Sequence, residues 1–167
     1  MCSLDDNMDQ FVLDETVKLI AKDQSCIEIN KKLCTLSEVI KIALEHDKDC
    51  NELKLEMIPN RTMLETVVNY LKLQNGTEPP KIIEPLQDTD MYKVTTETNA
   101  KFVNELLEKG GMQALYNTIE AANYLELKSL LLLVCAKLAA LIKATPLSQI
   151  EEFLSSANKP VGPLNEN

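Results

Sequence analysis

The stretch from Leu130 to Ile142, LLLLVCAKLAALI, constrains this chain more than any other, because its thirteen residues carry one charged side chain, Lys137. A helix made of it is apolar almost all the way round. Leu130, Leu131, Val134, Leu138 and Leu141 share one side, while Leu133, Cys135, Ala139 and Ile142 spread over much of the rest. A helix packed on a small sheet buries a stripe only somewhat wider than about 100°. The chain that follows offers chiefly Ile150, Phe153, Leu154, Val161 and Leu164, too little to clothe the other side. Exposing several Leu-sized side chains forgoes roughly 1.5–3 kcal/mol each, and contiguous apolar patches mark interaction sites. One expectation is therefore a partner protein, and the other is a central place in a bundle formed with residues 33–72 and 101–127. The run is well short of the roughly 20 residues that span a bilayer, and Lys128, Lys137 and Lys143 interrupt or flank it, so no membrane anchor is expected.

Upstream, the hydrophobic period changes along the chain. TVKLIAKD alternates through Val17, Leu19 and Ala21, and SCIEIN repeats the alternation with Cys26 or Ile27 and with Ile29, which predicts a hairpin across KDQS. Leu36, Val39, Ile40, Ala43 and Leu44 then fall at helical spacing, with Thr35 or Ser37 as the cap. ELKLEMIP returns to alternation through Leu53, Leu55 and Met57, and after Pro59 a second helical face follows through Leu64, Val67, Val68 and Leu71. Residues 74–99, with three prolines and no persistent period, read as a mobile loop. AKFVNELLEKGG predicts a short helix, with Phe102, Leu106 and Leu107 inward, stopped by Gly110-Gly111. MQALYNTIEAANYLEL predicts another that ends around Lys128. Thr145 as cap and Pro146 at the first helical position predict a last helix with Ile150, Phe153 and Leu154 in a stripe. The expected class is α+β: a flexible acidic tail over 1–15, a folded domain over 16–127, C-terminal partner-binding helices over 128–154 and a disordered tail over 155–167.

Composition excludes several functions. A net charge of −9 without a basic cluster repels a phosphate backbone, so nucleic acid is not an expected partner. Five scattered cysteines without C-x-x-C spacing, and no apolar leader at the start, suit reduced thiols in a cytoplasmic or nuclear protein. The single histidine, His46, could be paired on paper with Cys34 or Cys50, but no orienting third group can be named. No ligand spacing suits zinc and no glycine motif suits a phosphate, so no metal, cofactor or catalytic residue is expected.

AANYLELKSLL together with LIKATP resembles the S-phase kinase-associated protein (Skp) family, the F-box-binding adapters of SCF ubiquitin ligases, which carry a similar A-A-N-Y-L-D-I-K stretch followed by I-K-x-x-T-P. VKLIAKD, INKKLCTLSEVIKIALE and LEMIPN resemble the family's opening hairpin, first helix and third strand in the same order, and Pro79-Pro80 falls where the family has a proline-containing loop. The resemblance covers about residues 16–154. It implies a BTB/POZ domain, a small three-stranded sheet clasped by helices, with a C-terminal helical extension and no catalytic activity.

What the resemblance implies for partners is a cullin on one face, at Asn123 and Tyr124, and F-box proteins on another, at Cys135, Leu138, Ile142, Pro146, Ile150 and Phe153. Residues read without the family make Asn123 a helix-terminus hydrogen-bonding group and Tyr124 a half-buried ring. A homodimerising BTB module, an elongin C-like subunit and a cysteine-dependent enzyme are the alternatives, the first of which would cover the apolar helix with a second copy. The family's usual further acidic helices and Trp find no counterpart in PVGPLNEN, which predicts a reduced partner surface or fewer partners.

Overall fold

A computed structural model describes residues 15–156 apart from Lys48; of the tails expected over 1–15 and 155–167, residues 1–14 and 157–167 lie outside the described residues, while Ser155 and Ser156 belong to the last helix. β1 (Thr16–Ala21) and β2 (Cys26–Asn30) form the expected antiparallel hairpin, with Val17 opposite Ile29 and Leu19 opposite Ile27. Val17, Leu19, Ala21 and Ile29 are buried while Lys18 and Glu28 are exposed, the alternation of a sheet covered on one face. The Asp23 carboxylate fastens the hairpin turn, accepting from the Ser25 N–H at 3.0 Å and from the Arg61 N–H at 3.1 Å. These bonds, led by the Ser25 hydroxyl, hold the Asp23 carboxyl below its ordinary value.

After β2 the chain makes a 3-10 turn, Lys31–Leu36, before α1 (Glu38–His46). Of the two candidate caps it is Ser37 that serves: its hydroxyl accepts from the Ile40 N–H at 3.2 Å and donates to the Leu125 carbonyl at 2.6 Å. β3 (Glu52–Leu55) then pairs parallel to β1, giving the sheet order β2-β1-β3. The alternation expected to run through Met57 stops at Leu55. A turn closed by the Ile58 N–H on the Leu55 carbonyl at 3.0 Å hands the inward position to Ile58, and Met57 is left 68% exposed.

α2 (Arg61–Gln74) starts under the Asn60 side chain and buries Leu64, Val67, Val68 and Leu71 as expected, with Met63 and Tyr70 besides. The segment read as a loop over 74–99 differs in its last third. Asp90 caps a single turn, α3 (Met91–Val94), which buries Met91, and α4 (Glu97–Tyr124) begins beneath Thr96. Both starts are set by local side-chain caps, which leave no period to read.

The two helices expected on either side of Gly110-Gly111 are the two parts of α4, which is broken where expected, at Gly111 with φ 62° and ψ −161°. That region of backbone space is essentially reserved for glycine. α5 (Lys128–Ala144) packs on α4, and a 3-10 turn, Leu147–Gln149, leads into α6 (Ile150–Ser156). Thr145 does not cap this last helix, since its hydroxyl donates back to the Leu141 carbonyl at 2.8 Å. Pro146 therefore precedes the 3-10 turn instead of opening an α-helix. The α+β class and the three-stranded sheet clasped by helices are as expected.

Gly111→Ala should destabilise the protein by about 1–3 kcal/mol through backbone strain alone, because a Cβ there would meet nothing within 4 Å. Chemical denaturation measures this; an unchanged midpoint would mean that the bend tolerates an ordinary residue.

Candidate functional site

α5 answers the question its sequence raises by burying one side and leaving the other open. Leu130, Leu133, Val134, Ala136 and Ala140 are buried, and Leu131 and Leu141 are partly buried against the same core. This differs from the expected division in two places. Leu133 lies on the inner side at 1% exposure, and Leu138, expected beside Leu130, is only half-buried. An all-round apolar helix has no polar face to fix its rotation, so its neighbours choose which side goes in.

The open side is an arc. At about 100° per residue, Leu132, Cys135, Leu138, Ala139 and Ile142 fall within roughly 120° of the helix circumference. Leu132 is 44% exposed, Cys135 and Ala139 are exposed, and Leu138 and Ile142 are half-buried. The one charge of the run does not interrupt this arc, because at the same spacing Lys137 falls on the side that faces α4, where its ammonium donates to the Asn104 side chain at 2.8 Å. Partial burial lowers its pKa, against the opposing pull of Asp90 and Glu108.

One flank of α5 is covered by the proline-containing segment. Ile82 and Leu86 pack against the core, and the Lys143 ammonium donates to the Leu86 carbonyl at 3.1 Å. At its far end the chain turns through 114° between α5 and residues 147–155. α6 rests chiefly on the preceding 3-10 turn and forms a corner with α5. Ile150 and Phe153 are half-buried on α6, Pro146 is exposed at the corner, and Leu147 beside it is 91% exposed. Cys135, Leu138 and Ile142 are thus brought onto one face, which Pro146 prolongs around the bend. Sequence reasoning passed over Leu132 and Leu147, although the spacing of Leu132, Cys135 and Ala139 at three and four residues was there to be read.

Asn123 and Tyr124 sit at the opposite end of α5, in the turn that enters it. The Leu127 N–H donates to the Ala122 carbonyl at 2.9 Å and the Glu126 N–H to the Asn123 carbonyl at 3.2 Å, the paired bonds of a Schellman ending. Glu126 occupies the left-handed position, φ 49°, where glycine is usual. That unusual choice hides the stop, which is why the helix expected to reach Lys128 ends at Tyr124. The turn buries both Leu125 and Leu127, and the Ser37 hydroxyl holds the Leu125 carbonyl. Asn123 is exposed and its side-chain amide makes no hydrogen bond among the described residues, while Tyr124 is half-buried against the core.

Neither Cys34 nor Cys135 is activated as a nucleophile. Burial pushes the Cys34 thiol up to about 11, the opposite of the depression an activated cysteine needs, and burial also raises Cys135. Cys50 donates to the Glu52 carbonyl at 3.1 Å. Among the described residues no group of three or more His, Cys, Asp or Glu could hold a metal ion, and no single helix is long and apolar enough to cross a membrane.

No family model matches the chain. It is 30% identical over 143 residues to the S-phase kinase-associated protein 1 homolog of Tetrahymena thermophila, a span of 85% of this chain and 82% of that protein. The chain belongs to the S-phase kinase-associated protein family. The SKP1-like protein 9 of Arabidopsis thaliana is 29% identical over 147 residues, 86% of each chain. The Skp resemblance carried by AANYLELKSLL and LIKATP is therefore a true membership, and the three-stranded sheet with its helices is a BTB-like Skp fold.

In the native protein, alkylation at pH 8 should modify Cys26 readily and Cys34 only after unfolding. The raised thiol pKa alone slows Cys34 by about two orders of magnitude against an ordinary thiol. Peptide mass spectrometry reads the difference, and equal labelling would mean that the core around Cys34 opens on the time scale of the reaction.

Proposed function

We propose that the protein is a non-catalytic adapter that joins a cullin scaffold to F-box substrate receptors in an SCF-type ubiquitin ligase. The observation that carries this reading is the uncovered apolar arc on α5 in a chain of the Skp family. The F-box receptor covers Cys135, Leu138 and Ile142, with Leu132 and Ala139 beside them, and continues around the corner onto Pro146, Ile150 and Phe153. The cullin meets the other end of the helix pair at Asn123 and Tyr124, where an exposed amide is free to pair with a partner and a half-buried ring can complete its burial.

An adapter of this kind acts by position. Holding a bound substrate near the ligase raises its effective concentration and makes ubiquitin transfer effectively unimolecular, with no group of this chain in the reaction. Neither cofactor nor metal enters the scheme, and the setting is the cytoplasm and nucleus, where exposed thiols such as Cys26 and Cys135 stay reduced. In the absence of a receptor a second copy could cover the same arc about a two-fold axis.

Leu138→Glu should weaken binding of an F-box domain at least about 100-fold with the circular dichroism spectrum unchanged, since a carboxylate at a half-buried position tolerates water but not an apolar cover. Asn123→Lys combined with Tyr124→Lys should abolish cullin binding and spare the F-box domain. Unchanged binding in both variants would refute the assignment. Sedimentation of the wild-type chain with an excess of F-box domain tests the homodimer: a dimer that persists would count against the adapter.

A further inference from the structure

α5 carries a second apolar feature on the flank where the proline-containing segment crosses its first turns. Pro80 and Ile82 on that segment and Leu132 and Leu133 on α5 line a cleft of about 300 Å³. At roughly 30 Å³ per molecule this is room for about ten waters. The Ser129 hydroxyl, in the same wall, is out of reach of solvent and lies against the Tyr70 hydroxyl, and most of the surface offered to an occupant is carbon. Water held against such walls is readily displaced by an apolar group.

Both walls are already fixed. Ile82 packs against the core, the Lys143 ammonium holds the Leu86 carbonyl at 3.1 Å, and Gln74 donates to the Asn99 side chain at 2.5 Å beneath the segment. A preformed cleft spares its occupant the cost of ordering it. Leu132 is the link: it lines the cleft and also stands, 44% exposed, at the edge of the open arc. Whatever covers the arc therefore passes the mouth of the cleft.

We infer that this cleft is an anchor pocket, receiving one bulky apolar side chain of the same receptor that covers the open arc of α5. The inference rests on the reading of that arc as an F-box-binding face and adds to it the proline-containing segment as part of the binding surface. Binding energy at interfaces concentrates in large side chains seated in such pockets and shielded by their surroundings. The segment then acts as the pocket's outer wall, and receptors lacking a bulky apolar residue at that place bind more weakly.

The test uses the full chain, methyl-labelled, with a recombinant F-box domain that binds the wild type. The methyl resonances of Ile82 and Leu133 should move on complex formation. Lys81→Trp, a substitution at an exposed lining position that fills the cleft, should weaken binding at least about tenfold. Ile83→Ser, on the same segment but outside the lining and 74% exposed, should change it less than about twofold. Unmoved Ile82 and Leu133 methyls, or wild-type affinity in Lys81→Trp, would overturn the pocket while leaving the adapter reading intact. Wild-type affinity in Leu138→Glu would instead sink the adapter reading and the pocket with it.

Discussion

The packing of α5 on α4 governs both ends of this molecule. A helix that is apolar on every side cannot be satisfied by one neighbour, because each neighbour covers a limited stripe of its circumference. Here α4 and the core take Leu130, Leu133, Val134 and Ala140, and the proline-containing segment takes one flank through Ile82 and Leu86. An arc from Leu132 to Ile142 is left over. No rotation of α5 about its axis would remove it, since any turn that buried Cys135 and Leu138 would bring out Leu133 and Ala140.

How α5 meets α4 is decided in three residues. Leu125, Glu126 and Leu127 close the Schellman turn, and the two leucines are driven into the core on either side of a left-handed glutamate. The Ser37 hydroxyl, which starts α1, is also the donor to the Leu125 carbonyl, so the sheet-bearing part of the fold and the helix pair share one hydrogen-bonded joint. A buried polar pair of this kind is costly to break, and it keeps the surface around Asn123 and Tyr124 at a set distance and angle from the open arc. For a protein whose proposed work is to hold two partners in relation to each other, that stiffness is the useful property.

Much of this was legible beforehand where the pattern was periodic. The hairpin, α2 and the inward residues Leu64, Val67, Val68 and Leu71 follow from simple alternation and helical spacing, and AANYLELKSLL with LIKATP was enough to name the family. The misses share a cause. The 3-10 turn at Lys31–Leu36, the single turn of α3, the end of β3 at Leu55 and the end of α4 at Tyr124 are set by individual caps and turn bonds, among them Asp90, Ser37 and the left-handed Glu126. Such signals are one residue long and have no period.

By itself the sequence determined that one helix, over 130–142, would be apolar on nearly every side, because thirteen residues with a single charge leave no polar face. Only the tertiary structure decided which residues form the remainder. It placed Leu133 inside and Leu138 at the boundary, set Lys137 on the side facing α4 against Asn104, and laid Ile82 and Leu86 along one flank. The rotation of an all-apolar helix is fixed by the shapes of its neighbours, and those neighbours come from parts of the chain too distant for any local pattern to record.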